Sequence, residues 1–206
     1  MITGTVLLFG LLFGLQHALE ADHLAAVATL VARESDARRV IRQGVFWGLG
    51  HALTLLLFGG AVMVIGVVLP APWVHALDGA VGVTLVLLGA DLLRRLWRDR
   101  VHFHSKVYSP LPLRALLVGM VHGLAGSAAL VLLTLQQVGS PWIGLLYVLL
   151  FGLGSVCGMA SLLWVVSVPM RLGAPYITRC RRWFNGGVAL VSVAFGLNVM
   201  ASQWFA

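Results

Sequence analysis

Seven residues, His17-Ala18-Leu19-Glu20-Ala21-Asp22-His23, interrupt an apolar stretch that otherwise runs from Gly4 to Val31. A stretch of that length can cross a bilayer as a helix, which takes about 20 mostly apolar residues. An ionised carboxylate near the centre of such a helix costs ~2.5–3.5 kcal/mol on insertion scales. Imidazoles and carboxylates placed there therefore face a protein interior and serve a purpose, either as ligands or as hydrogen-bonding glue between helices.

The remainder of the chain supports a membrane reading. Of 206 residues, 60% are hydrophobic and 10% charged, with a mean hydropathy of +0.96; soluble domains carry roughly 25% charged residues. Six segments are apolar enough to span: Gly4–Val31, Gly44–Leu69, Val74–Leu93, Leu113–Leu135, Trp142–Val168 and Trp183–Trp204. Pro70, Pro72, Pro110, Pro112 and Pro141 mark the joints between them. The predicted fold is an all-α polytopic membrane protein of six transmembrane helices, forming a single membrane domain over residues 1–206. No basic run precedes the first apolar segment and no cleavage motif follows it, so that segment is expected to stay in the mature protein. Cys157 and Cys180 are expected to be free thiols, because one lies in an apolar segment and the other in a basic loop.

The net charge of +7 would suit a nucleic-acid partner, but its distribution argues otherwise. All fourteen Lys and Arg residues fall in or beside three connections. Arg33, Arg38, Arg39 and Arg42 lie between segments one and two. Arg94, Arg95, Arg98, Arg100, Lys106 and Arg114 lie around the third joint, and Arg171, Arg179, Arg181 and Arg182 around the fifth. Short basic loops face the cytoplasm, which puts both termini outside, and their partner is anionic lipid headgroups rather than nucleic acid.

The two halves repeat one another in order. Gly14-Leu-Gln-His17-Ala-Leu19 matches Gly119-Met-Val-His122-Gly-Leu124, Gly48-Leu-Gly-His51 matches Gly152-Leu-Gly-Ser155, and Asp78-Gly79 matches Asn185-Gly186. Repeat one covers about residues 1–100 and repeat two about 107–206. Three helices per half is an odd number, so the second half is inserted upside down, as in many transporters whose site lies at the repeat interface. His17 and His122 are kept in both halves, whereas Glu20, Asp22, His23 and His51 are replaced by Ala125, Ser127, Ala128 and Ser155.

At about 100° per residue, His17, Glu20 and His23 share a helical stripe roughly 120° wide, and Asp22 stands at its edge. A single straight helix cannot wrap all four side chains around one ion. Either the helix is bent near Glu20, or ligands come from other helices. His51 and His122 are the outside candidates, since with His23 they lie at similar depths, roughly 10 to 14 Å from one face, with His17 about 9 Å further out. The candidate metal ligands are thus His17, Glu20, Asp22, His23, His51 and His122. Imidazole with carboxylate and without thiolate suits Ni²⁺, Co²⁺ or Zn²⁺ and disfavours Cu(I). Asp78 is expected near the outer end, Asp91 beside Arg94 or Arg95, and His75 at the interface. His102 and His104 are expected in a solvated loop.

The same residues resemble a known family. His17-Ala-Leu-Glu20-Ala-Asp22-His23 resembles the His-x4-Asp-His signature of the nickel/cobalt transporter superfamily, and Leu49-Gly50-His51 resembles its Gly-His motif on the next helix. His122-Gly-Leu-Ala-Gly-Ser-Ala-Ala-Leu130 looks like the motif of the short branch, which includes urease-accessory-type nickel permeases. The chain departs from the full-length branch at Gln16 and Glu20. The resemblance implies Ni²⁺ or Co²⁺ as the transported ion, with His17, Asp22, His23 and His51 binding it in passage and no permanently bound cofactor.

The expected function is transport of Ni²⁺ or Co²⁺ across the bacterial cytoplasmic membrane. Urease or another nickel enzyme is a candidate recipient, and a cytoplasmic metallochaperone a candidate partner. Two alternatives remain at this point. One is a proton-coupled small-anion carrier. The other is an intramembrane hydrolase using Ser155 or Ser127, although an activated serine needs a base within hydrogen-bonding reach and the zinc-protease spacing His-Glu-x-x-His is absent.

Overall fold

A computed structural model describes residues 2–32, 36–65, 70–98, 112–125, 140–172 and 178–204. Among the described residues the elements are all helices: α1 (Ile2–His17), α2 (Ala21–Val31), α3 (Ala37–Ile65), α4 (Ala71–Arg98), α5 (Leu113–Leu124), α6 (Pro141–Leu172) and α7 (Thr178–Trp204). Their starts follow from local chemistry. The Asp36 carboxylate accepts the Arg38 amide at 3.0 Å, satisfying a donor that the first turn of α3 leaves unpaired. Pro72 stands in the first turn of α4, Pro112 caps α5 and Pro141 opens α6. Proline is tolerated at all three places, because an amide there has no partner inside the helix.

Among the described residues four helices are long and apolar enough to cross a membrane: α4 over its whole length, and α3, α6 and α7 over Ala37–Ala61, Trp142–Val168 and Trp183–Trp204. The first expected segment is not one rod. Gly4–His17 and Ala21–Leu30 form a broken span bent by 54°. α5 is a shorter apolar helix; positions 126 to 135 of the expected fourth segment lie outside the described residues, as do Ser127, Ala128, His102 and His104.

Burial differs from a water-soluble protein's on the outside most of all. Leu57, Leu87, Leu190 and Val191 are exposed, while His17, His23, His51, His122, Ser155, Asn185 and Ser192 are buried. Trp73, Trp97, Trp142 and Trp183, each near a helix end, are among the most exposed side chains, as in the aromatic belts at membrane surfaces. The protein is a multi-pass membrane protein whose lipid-facing side is apolar and whose mostly apolar interior encloses a set of polar residues.

Helices pack most closely as α4 on α7, α3 on α6, α1 on α6 and α3 on α5. Small residues allow this. A methyl group at Gly14 would run into the Phe151 carbonyl, and one at Gly119 into the Trp47 carbonyl. Gly50 and Gly154 meet the carbonyls of Leu116 and Leu11 in the same way. Without a hydrophobic drive between helices in lipid, such close backbone approach is a main source of association. At the basic end, Asp91 accepts from Arg114 at 2.6 Å and Arg95 at 3.3 Å, with Arg94 at 3.9 Å, so its pairing extends beyond its own helix to α5. His75 is exposed and bonds Gln203 at 2.8 Å. Cys157 is a free thiol, as expected.

Candidate metal centre

The break between α1 and α2 builds the site. α1 ends at His17, the Glu20 amide donates to the His17 carbonyl at 3.1 Å, and Glu20 itself is extended (φ −64°, ψ 152°) before α2 begins at Ala21. In an unbroken helix His17 and His23 would be about 9 Å apart along the axis. With the break their rings lie 4.5 Å apart, edge to face. The expectation that His17 stands a level further out is corrected here: the turn folds it back beside His23.

α3 brings His51 into the same space. Its ring lies 4.9 Å from His17 and 5.5 Å from His23, and it is fully buried. His17, His23 and His51 can each present one ring nitrogen such that all three nitrogens fall within 4.8 Å of one another. Imidazole nitrogens on a tetrahedral ion at 2.0–2.1 Å are roughly 3.3 Å apart, so closing the triad is a matter of ring rotation. His122, at the end of α5, is buried as well, with its ring 5.3 Å from His23, but it does not join the triad at that spacing.

Hydrogen bonding decides which nitrogen of each ring is free. His17 Nδ1 donates to Glu20 Oε1 at 2.7 Å, and His23 Nδ1 to Asp22 Oδ1 at 2.9 Å. His122 Nδ1 donates to the Val118 carbonyl at 2.9 Å. Carboxylate and carbonyl oxygens only accept here, so in each neutral ring the proton is on Nδ1 and Nε2 keeps its lone pair. All three Nε2 atoms, and both nitrogens of His51, are buried without a hydrogen-bond partner. A buried polar atom left unpaired costs ~1–3 kcal/mol. In neutral rings four of these five atoms hold a lone pair, one from each imidazole, and a group of that kind suits something that accepts lone pairs, as a metal cation does.

Glu20 and Asp22 therefore occupy the place that outer carboxylates hold in metal sites, fixing the tautomer and aim of a ligating imidazole. Glu20 is half exposed and Asp22 a quarter exposed, so neither is enclosed with the triad. With His23 they also form a second, more open group of candidate ligand atoms within 4.8 Å. The C-terminus of α1 points its partial negative charge toward the site, which favours a cation.

Two neighbours had no signal in the sequence. Trp47 on α3 stacks on His23 at 5.4 Å and meets His122 edge-on at 5.8 Å, with its indole nitrogen buried and unpartnered. Phe151 on α6 lies 5.4 Å from His17. An aromatic in an apolar helix reads as core, and only the tertiary contacts show these two as walls of the cluster. Ser155, which the hydrolase alternative needs, donates to the Gly14 backbone carbonyl at 3.3 Å instead of to an imidazole.

Buried imidazoles with carboxylates beside them, in a bundle of membrane helices, have the chemistry of a cation-handling membrane protein. The chain belongs to the NicO family, described as high-affinity nickel-transport protein, and matches it over residues 4–203. It is thus one of a family of metal-transport proteins rather than an enzyme. It is 37% identical to the urease accessory protein UreH of Bacillus sp. (strain TB-90), across 95% of this chain and 90% of that one. It is also 27% and 26% identical to the chloroplast proteins FOR GROWTH AND FERTILITY 1 and 2 of Arabidopsis thaliana, across 95% of this chain and 59% and 56% of theirs. The chain thus spans little more than half the length of the two plant relatives. No solved structure matches it.

Proposed function

We propose that this protein carries Ni²⁺ or Co²⁺ across the cytoplasmic membrane of a bacterial cell, with His17, His23 and His51 as the ion's buried ligands. The observation that supports it best is the set of unpartnered, buried imidazole nitrogens gathered by the broken first span. Imidazole is a fitting donor for either ion, and the absence of thiolate from the cluster disfavours Cu(I). Glu20 and Asp22 hold the rings of His17 and His23 and offset the ion's charge. The anion-carrier alternative would want a buried cation, and none of Arg38, Arg39, Arg42, Arg94, Arg95, Arg98 and Arg114 is buried.

The basic loops face the cytoplasm in this reading and both termini lie outside. The chain is one membrane domain of two inverted three-helix repeats. Likeness to a urease accessory protein makes a urease, or another nickel enzyme fed through a metallochaperone, the recipient to test first. The direct experiment is accumulation of radioactive nickel and cobalt by cells producing the wild-type chain, His17→Ala or Asp22→Asn. Loss of accumulation in both variants is expected. Equal accumulation in all three would remove the basis for the proposal.

A further inference from the structure

His122 stands apart from the triad, yet it has the two features that mark His17 and His23. Its Nδ1–H is tied off, by the Val118 carbonyl, and its Nε2 is buried and unpartnered. Its place in the fold explains why. A shift of 105 residues takes His17 to His122, Gly14 to Gly119 and Leu11 to Leu116, and a shift of 104 takes Trp47 to Phe151 and Gly50 to Gly154. The contacts obey the same shifts. Gly14 sits on the Phe151 carbonyl as Gly119 sits on that of Trp47, and Gly154 on Leu11 as Gly50 on Leu116. The ring of His17 faces Phe151 at 5.4 Å as the ring of His122 faces Trp47 at 5.8 Å.

The helix ends obey it too. Glu20, just after α1, is extended (φ −64°, ψ 152°), and Ala125, 105 residues on and just after α5, is extended as well (φ −88°, ψ 171°). Each half thus has a histidine in the last turn of a helix that stops at an extended residue, and the two histidines flank His23, at 4.5 Å from His17 and 5.3 Å from His122. Gly123, next to His122, packs on the His51 carbonyl, so the end of α5 adjoins the helix that supplies the triad's third ring.

We propose that His122 is the ligand to which the ion passes when it leaves the triad, with His23 bound to it in both positions. This rests on the reading of His17, His23 and His51 as the metal site. The step is a ligand exchange: the bonds from the ion to His17 and His51 break and one to His122 Nε2 forms. No proton moves, because His122 Nδ1–H stays on the Val118 carbonyl and Nε2 already holds a lone pair. The break between α1 and α2 is the place where the backbone can turn to bring about the exchange.

The test separates holding the ion from moving it. The full chain and its His122→Gln, His122→Ala and His51→Ala variants are purified in detergent for Co²⁺ binding, read by calorimetry and by the visible absorption of the bound ion. The same proteins are reconstituted in vesicles for Co²⁺ uptake. His122→Gln and His122→Ala are expected to bind one Co²⁺ with the wild-type spectrum and to lose uptake, while His51→Ala loses both. Wild-type uptake in the His122 variants would overturn the proposal. Loss of binding in them, with the protein still monodisperse, would also overturn it and make His122 a plain fourth ligand. If the wild-type chain itself binds no Co²⁺, the triad reading fails first and takes the relay with it.

Discussion

The end of α1 in the first half and the end of α5 in the second differ in chemistry more than in geometry. Both place a histidine one turn or less before an extended residue, and both press a glycine against a carbonyl of the neighbouring long helix. The first half, however, has Glu20, Asp22 and His23 where the second has Ala125 and positions 127 and 128. His17 thus leans on a carboxylate and His122 on a backbone carbonyl. The comparison teaches that packing is common to the halves, whereas the carboxylates beside the histidines belong to one.

The shared part can be broken most severely. Gly14→Val and Gly119→Val are each expected to abolish the folded protein, because a side chain at either position runs into a carbonyl of the adjoining helix. The yield of monodisperse protein from detergent extracts reads this out, and a normal yield from one but not the other would end the idea that the two contacts are equivalent. Next in size is His51→Ala, which takes a nitrogen from the triad; Co²⁺ titration should show binding too weak to measure, in a protein of unchanged size. Glu20→Gln and Asp22→Asn should be milder, since they disturb the aim of a ring rather than remove it. Losses of outer partners of this kind typically cost about 10–100-fold in metal affinity. A loss as complete as that of His51→Ala would make these carboxylates ligands in their own right.

The smallest effect sharpens the contrast. Ala125→Glu puts into the second half the residue type that Glu20 supplies to the first, yet His122 Nδ1 is already engaged by the Val118 carbonyl. Its affinity for Co²⁺ should therefore stay near that of the wild type. A rise in affinity would mean that charge alone, and not ring orientation, distinguishes the halves.

Much of this was readable from residue order. Polar residues in an apolar run are costly, so His17, Glu20, Asp22 and His23 announced an interior site, and period and charge placement announced helices. Helical angles also showed that one straight rod could not serve all four side chains, and the 54° bend answers that constraint together with His51 from α3. The depth count failed for His17, because rise per residue holds only within a helix and the chain leaves helical geometry between His17 and Ala21. The division of labour between imidazole and carboxylate was not legible either. Spacing places Glu20 near His17 but does not say which of its atoms meets which nitrogen.

The sequence by itself determined that this chain lies in a membrane, that its helices bury polar residues, and that a metal cation suits those residues. Only the tertiary structure decided which nitrogens remain free, that Trp47 and Phe151 wall the cluster, and that His122 adjoins His23 without joining the triad. The physical reason is the range of the forces involved. The cost of polar groups in lipid acts on each residue by its type, so composition and period record it. Hydrogen-bond direction and ring contact act over a few ångströms between residues far apart in the chain, and they exist only once α1, α3, α5 and α6 have packed.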